Sequence, residues 1–373
     1  MDTKREIELK RFATVIRIET MKAFKTRGFG HIGGAMSIVE LLSVLYSGEI
    51  KIDPQNPKWE GRDRFVLSKG HAGPSLYATL ALKGYFPMQW LSTLNQPGTR
   101  LPSHCDGNLT PGVDMTTGSL GHGISSAAGM ALGFKIDGRE NRVYAVIGDG
   151  ECNEGQVWEG ALFCAHQQLD NLILFIDKNG KQLDGCTDDI LKLGDLAAKF
   201  TEFGWNATTV EGNDVAQIEA AIKSAKNVKG KPSCIVLKTI KGAGIKEVEE
   251  TPANHHLVIS VEMADRVIGE LSKLADSLDK QLELNGEGFG EWDGEEPMKP
   301  VEPMEPGKPE EPEEPMEPAE PMEPVEPMEP MEPEEPGKPE EPGKPEEPEE
   351  PMEPEEPGKR VNKKGGSSRE VTV

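Results

Sequence analysis

Two short apolar runs near the middle of the chain each lead to a side-chain oxygen. Val143–Ile147 runs into Gly148-Asp149-Gly150, and Leu172–Asp177 runs on to Asn179, thirty residues after Asp149. Aspartate is a hard oxygen donor, asparagine offers an amide oxygen, and the main-chain carbonyl of Lys181 adds a third. Three oxygens from two neighbouring strand ends suit an octahedral Mg2+, or Ca2+ or Mn2+ in its place, that completes its shell with phosphate and water. Gly148 and Gly150 have no side chains, so the backbone can approach a bulky anion. The first amides of a helix after the GDG would favour that anion. The GDG alone reads equally well as a tight turn with an Asp cap. The spaced set Asp177, Asn179, Asp184 and Gly185 that follows makes a metal-diphosphate site the stronger reading.

Such a site needs strands to carry it. Arg64–Ser68, Val143–Ile147, Leu172–Asp177 and Ser233–Lys238 are short apolar runs with β-branched content, the pattern of buried parallel strands. Glu154–Gln168 is rich in Ala, Leu, Glu and Gln and is expected to be helical. Strand, helix and strand in that order form a βαβ unit with a parallel sheet, and ligands bind beyond the carboxyl ends of such strands. Leu9, Phe12, Ala13 and Ile16 recur at helical spacing near the start. The fold class is α/β.

Imidazoles are the second chemical resource. The chain has seven: His31, His71, His104, His122, His166, His255 and His256. Histidine takes and returns protons near neutral pH. Taken singly, each reads as a satisfied structural histidine. His166 falls on the expected helix, away from any motif, and stays structural.

Composition bounds the rest. A length of 373 residues allows two or three domains. The net charge of −24 is unevenly placed: residues 291–373 hold 28 Asp/Glu against 9 Lys/Arg, leaving 37 against 32 in residues 1–290. The body is nearly neutral, and nothing in it points to nucleic acid. The N-terminal segment is charged, and no run reaches the roughly 20 apolar residues that span a bilayer, so neither a secretion signal nor a membrane anchor is expected. Five Cys without CxxC spacing read as free thiols in a reducing cytoplasm.

From Pro297 to Pro357 every third residue is proline. Polyproline II has three residues per turn, so residues 286–360 are expected to form a disordered, extended Pro/Glu-rich tail, with the repeat spanning about 190 Å at full extension. Residues 361–373 make a basic free end. Neither segment carries residues for catalysis.

The body, roughly residues 5–275, resembles the N-terminal, diphosphate-binding half of transketolases, and more closely the N-terminal subunit of split transketolases. The resemblance rests on GHIGGAMS, VLSKGHAGPSLYA, SHCDG, PGVDMTTGSLGHG, GDGECNEG, DKNGKQLDG and KTIKGAGIKEVEETPANHH, in that order. It implies a doubly wound, mainly parallel sheet with helices on both faces, the thiamine diphosphate-binding fold, over residues 1–285. It implies Mg2+ on Asp149, Asn179 and the Lys181 carbonyl. Gly148, Gly150, His71 and His255 would meet the diphosphate, and Gly118 and Leu120 would lie along the rings of the cofactor. His31, His71, His104 and His255 would handle substrate hydroxyl protons. Glu154 would join a carboxylate network across a subunit interface.

Three departures from the family pattern stand out: Cys105 in place of a usual Pro, His122 in place of Gln, and Asn254-His255-His256 in place of a Trp-His-Gly type sequence. The last leaves His255 and His256 both open as the functional histidine. The resemblance also implies what the body does not supply, the glutamate that activates the cofactor and most of the residues that grip a sugar phosphate. A separate C-terminal, pyrimidine-binding subunit would bring them, in an α2β2 assembly acting on sugar phosphates. The competing readings are a chain like those of deoxyxylulose-phosphate synthases, one like those of 2-oxoacid dehydrogenases, and a non-catalytic scaffold. Because the tail is read as inert, deleting residues 291–373 is expected to leave turnover of the assembled enzyme within about twofold of the full chain in a steady-state assay.

Overall fold

The computed structural model describes residues 1–284. The expected segments 286–360 and 361–373 lie outside the described residues. The first helix, α1 (Thr3–Arg27), opens with Asp2 accepting the Arg5 amide at 2.7 Å and closes at Gly28, whose φ of 86° lets its N–H return to the Phe24 carbonyl. The short strand β1 (Phe29–Gly30) and helices α2 (Ile32–Met36) and α3 (Val39–Val44) follow. The chain then alternates: β2 (Arg64–Leu67), α4 (Gly73–Leu82), α5 (His122–Ile136), β3 (Val143–Gly148), α6 (Gly155–His166) and β4 (Leu172–Lys178). Beyond these lie α7 (Thr187–Ile190), α8 (Leu196–Glu202), β5 (Asn206–Glu211), α9 (Val215–Lys226) and β6 (Ser233–Lys238). Last come α10 (Lys246–Glu250), β7 (Leu257–Val258) and α11 (Val261–Leu284).

Five strands form one all-parallel sheet in the order β2-β3-β4-β6-β5. Alternate residues point to opposite faces, and both faces are covered. Phe65, Leu67, Tyr144, Val146, Ile173, Phe175, Ile235 and Leu237 pack in one cluster with α1, α3, α4, α9 and α11. Val66, Ala145, Ile147, Leu174, Ile176 and Val236 pack in the other with α5, α6 and α8. This is the doubly wound arrangement, and the βαβ unit is β3–α6–β4. Among the described residues no helix is long and apolar enough to cross a membrane.

Two local expectations need correction. The helix after the GDG does not start at once: a single 3-10 turn, Gly150–Asn153, comes first, and α6 begins at Gly155 and ends at His166. The fifth strand, β5, had no strand signature, because NATTVE at the sheet edge buries none of its residues. A second, two-stranded ribbon pairs Phe29 with Val258 and Gly30 with Leu257, antiparallel.

The contact between α5 and the end of β2 is close enough to require glycine. A Cβ on Gly123 would sit 2.2 Å from Ser68 Oγ and 2.8 Å from its Cα. Gly123→Ala is expected to destabilise by about 1–3 kcal/mol or more through overpacking. Gly269→Ala in α11, where a Cβ meets nothing within 4 Å, is expected to stabilise by a few tenths to about 1 kcal/mol. Urea midpoints of the two variants check both signs.

Candidate active site

The carboxyl ends of β2, β3, β4 and β6 open into one cavity of about 340 Å3. Every residue singled out from the sequence for metal, cofactor or proton transfer lines it: His31, His71, His104, His255, Glu154, Gly118, Leu120, Gly148, Asp149, Gly150, Asn179 and Lys181. Asp184 of the spaced motif does not line it, and neither do His122 and His166.

The floor is held by a buried ion pair. Lys69, just past β2, donates to Asp177 Oδ2 in β4, with β3 between the two strands. Ser37 donates to the same oxygen at 2.7 Å, Asn179 Nδ2 at 2.9 Å, and Thr239 donates to Oδ1. Burial alone would raise the Asp177 carboxyl, but the Lys69 charge and these hydrogen bonds outweigh it and hold the group below its usual range. Since Asn179 gives its amide nitrogen to Asp177, its Oδ1 is turned the other way, where it accepts the Lys181 amide at 3.1 Å. This orientation was not readable from the motif.

Asp149 is buried, with Oδ1 accepting the Gly150 amide at 2.9 Å and Oδ2 the Gly180 amide at 2.7 Å. Burial, then the nearby Asp177 charge, push its carboxyl up to about 6 despite those amides. The Lys181 carbonyl accepts Lys241 Nζ at 2.9 Å. Each of the three oxygens keeps a free lone pair, so all three could bind one cation. Among the described residues no group of three His, Cys, Asp or Glu could do so. The donor set fits a hard cation that takes its remaining ligands from a phosphate ligand. Gln182 Oε1, in the cavity wall, is buried with no hydrogen-bond partner, which fits a site built for a further polar ligand.

Three residues missed in the sequence now have positions. Lys241, in the loop after β6, is buried and spans the Lys181 carbonyl and His255 Nδ1, the latter at 3.1 Å. Burial, then the Lys69 charge, bring its amine down to about 8. Buried Glu151 ties three loop ends together, accepting from the Ser68 hydroxyl, the Gly121 amide at 2.8 Å and the Gly148 amide at 3.0 Å. Lys69 itself is the third. The sequence held one signal for the lysines: each precedes a glycine in a motif already quoted, SKGH and KGAG.

Five imidazoles form a connected cluster. The His31 ring lies 5.5 Å from that of His71, 5.4 Å from His104, 5.3 Å from His255 and 4.8 Å from His256. His255 lines the cavity, whereas His256 is exposed outside it, against Phe29 at 5.5 Å. The geometry therefore favours His255 over His256 at the site. A Cβ on Gly34 would press to 3.0 Å on His71 Nε2, and one on Gly33 to 2.2 Å on the Asn254 carbonyl, so the two glycines of HIGG make room for the cluster. Burial first, then neighbouring positive groups, lower His31 to about 4 and His255 to about 3, and carry His71 well down. Burial lowers His104 as well. All four shifts favour the uncharged form of the ring, in which one ring nitrogen can accept a hydrogen bond.

Cys105, beside His104, is buried, and burial drives its thiol up to about 12, so it packs as an inert group. At the mouth, Glu154 is exposed and its side chain makes no hydrogen bond among the described residues; Leu120 is 40 % exposed.

The ion pair yields a direct prediction. Lys69→Met leaves a buried carboxylate without its cation and is expected to cost about 3–5 kcal/mol, whereas Lys69→Met with Asp177→Asn recovers more than half of that loss. Urea unfolding of both variants and of Asp177→Asn measures the coupling.

Comparison with known proteins bears on this cavity. The family described as transketolase, thiamine diphosphate binding domain, matches residues 8–262. The chain is 49 % identical over 271 residues to a 6-deoxy-6-sulfo-D-fructose transketolase subunit of Clostridium sp. (strain MSTE9), covering 73 % of this chain and 98 % of that one. It is 38 % identical over 266 residues to an apulose-4-phosphate transketolase subunit of Actinobacillus succinogenes, covering 71 % and 96 %. The solved transketolase of Campylobacter jejuni superposes with a TM-score of 0.64 at 27 % identity, covering 76 % of this chain and 49 % of that one. Similar to separate subunits over almost their whole length and to that solved transketolase over about half of its length, the chain belongs to the transketolase family as a thiamine-diphosphate-binding N-terminal subunit.

Proposed function

We propose that this chain transfers a two-carbon ketol unit from a ketose phosphate of the xylulose 5-phosphate type to an aldose phosphate, together with a separate pyrimidine-binding subunit in an α2β2 assembly. On this reading it works in the cytoplasm, in pentose phosphate metabolism. The observation that carries it is the meeting, in one cavity, of the Asp149–Asn179–Lys181 oxygen set with four partly buried histidines.

Thiamine diphosphate, when bound, supplies the carbanion chemistry that breaks and re-forms a bond beside a ketose carbonyl. The residues of the chain provide the setting. Asp149, Asn179 and the Lys181 carbonyl would hold the Mg2+ that accompanies the diphosphate. Gly148 and Gly150 give the diphosphate access to the backbone, and Lys241, His71 and His255 offer it donors. Gly118 and Leu120 line the place for the cofactor's rings. Among the neutral imidazoles, His31 and His104 accept a donor-sugar hydroxyl proton and return it, and their neighbours steady the carbonyl oxygen. Glu154, exposed at the mouth, would join a carboxylate network across the subunit interface.

A second donor, 6-deoxy-6-sulfofructose, is favoured by the relative that is 49 % identical. Both donors are tested in one assay: release of the shortened aldose from each, with ribose 5-phosphate as acceptor, thiamine diphosphate and Mg2+ present. The assay is run on this chain alone and on this chain with its co-purified partner. Activity in the mixture only is expected; full turnover by this chain alone would overturn the two-chain reading. Asp149→Ala is expected to abolish Mg2+-dependent binding of thiamine diphosphate in calorimetry.

A further inference from the structure

A second cavity, of about 680 Å3, lies at the amino end of β2. Arg62 and Arg64 reach it there, whereas Lys69 and His71 line the first cavity beyond the carboxyl end of the same strand, and no residue lines both. Its lining carries four cations, Lys58, Arg62, Arg64 and Arg100, against one acid, Asp114. That acid is already spent: it accepts from Arg62, stands 3.6 Å from Arg64 Nε and takes the Phe65 amide at 2.8 Å. The acids nearby in the chain are engaged as well. Asp53 accepts the Gln55 amide at 3.0 Å, Asp106 the Asn108 amide at 2.8 Å, and Glu60 pairs with Arg139 at 3.7 Å. Burial, then the Arg62 charge, lower Arg64 in spite of Asp114, so positive charge prevails around it. The frame is fixed. Buried Arg62 donates through Nε to the Pro57 carbonyl and through Nη1 to the Asp63 carbonyl at 3.1 Å, which ties the loop carrying Lys58 to the strand. Arg100 lies 5.3 Å over the Trp90 ring, and its carbonyl accepts the Thr110 hydroxyl, which joins two loops of the lining. Lys58 and Arg100 are exposed, and their side chains make no hydrogen bond or ion pair among the described residues.

We propose that this cavity is a second anion site, for a small molecule that carries at least two phosphate groups. Cations gathered without matching acids raise the local potential and concentrate anions. A guanidinium takes phosphate through two parallel hydrogen bonds and a lysine ammonium takes it as a point charge, so Arg100 and Lys58 are the two unspent receivers. Four cations less one acid leave an excess of three positive charges in the lining. One phosphate, at roughly −1.5 to −2 near neutral pH, leaves part of that excess unmet, and two match it. The volume falls within the range of about 300–1,000 Å3 typical of small-molecule sites. Exposed Leu109, with Pro111, offers apolar contact to the body of the ligand. The site stands apart from the proposed ketol transfer and does not depend on it.

The test is equilibrium dialysis of labelled pyrophosphate against the full chain with its co-purified partner, with thiamine diphosphate and Mg2+ saturating so that the first cavity is filled. Pyrophosphate is expected to bind once per chain, about tenfold or more tighter than inorganic phosphate, and more weakly as salt is raised. Lys58→Gln and Arg100→Gln, both at exposed positions, are each expected to raise its Kd about tenfold, the scale of a lost charge-assisted hydrogen bond, and the pair to raise it further. Arg100→Lys is expected to restore part of the loss. No binding at millimolar pyrophosphate, or binding that the double variant leaves within about twofold, overturns the site. Equal affinity for phosphate and pyrophosphate overturns its assignment to a ligand with two phosphates.

Discussion

The site hangs on the buried pair of Lys69 and Asp177. Two charges removed from water are costly unless geometry and further hydrogen bonds compensate. Here they do: Ser37, Asn179 and Thr239 complete the carboxylate. These donors come from α2's end, the β4 end and the β6 end, and Lys69 from the β2 end, so one carboxylate fixes the relative positions of four chain segments. Asn179 is turned by that bond, and with it the oxygen available to a cation. Replacing the pair with apolar residues would keep a core there. It would also release Asn179 and loosen the loop that carries His71, two residues beyond Lys69. The pair therefore contributes orientation more than stability.

Electrostatics in the cavity run in one direction. Asp149 is pushed up to about 6, chiefly by burial and then by Asp177, so its charged form is disfavoured. Lys241 is brought down to about 8, chiefly by burial and then by Lys69. A divalent cation against Asp149 and an anion against Lys241 would each favour the charged state of the residue it touches. Two perturbed groups of opposite sign lining one cavity are what a bound metal-diphosphate would relieve. The same burial favours the uncharged form of His31 and His255.

How much of this could be read from the sequence follows from the range of each interaction. Asp149, Asn179, Lys181 and the four cavity histidines belong to local motifs, and all of them line the cavity. The central strands were legible because they are buried on both faces and read as continuous apolar runs. β5 was not, because an edge strand with no buried residue needs no apolar pattern. Lys69–Asp177 spans 108 residues, and Glu151 binds groups from β2, the loop before α5 and β3. Such pairings exist only once sheet register is set, so a single sequence offers no spacing from which to read them. The choice between His255 and His256 likewise depended on the ribbon, which turns one ring into the cavity and leaves the next outside.

The described part of the chain closes its own core. Both faces of its sheet are closed by its own helices, with one apolar cluster against α1, α3, α4, α9 and α11 and another against α5, α6 and α8. What remains open is the mouth of the cavity. Leu120 is 40 % exposed there and Leu183 66 %, and the exposed Glu154 side chain, which lines the same cavity, makes no hydrogen bond among the described residues. Among the described residues the apolar core is thus complete, while the polar cavity stays open at its mouth.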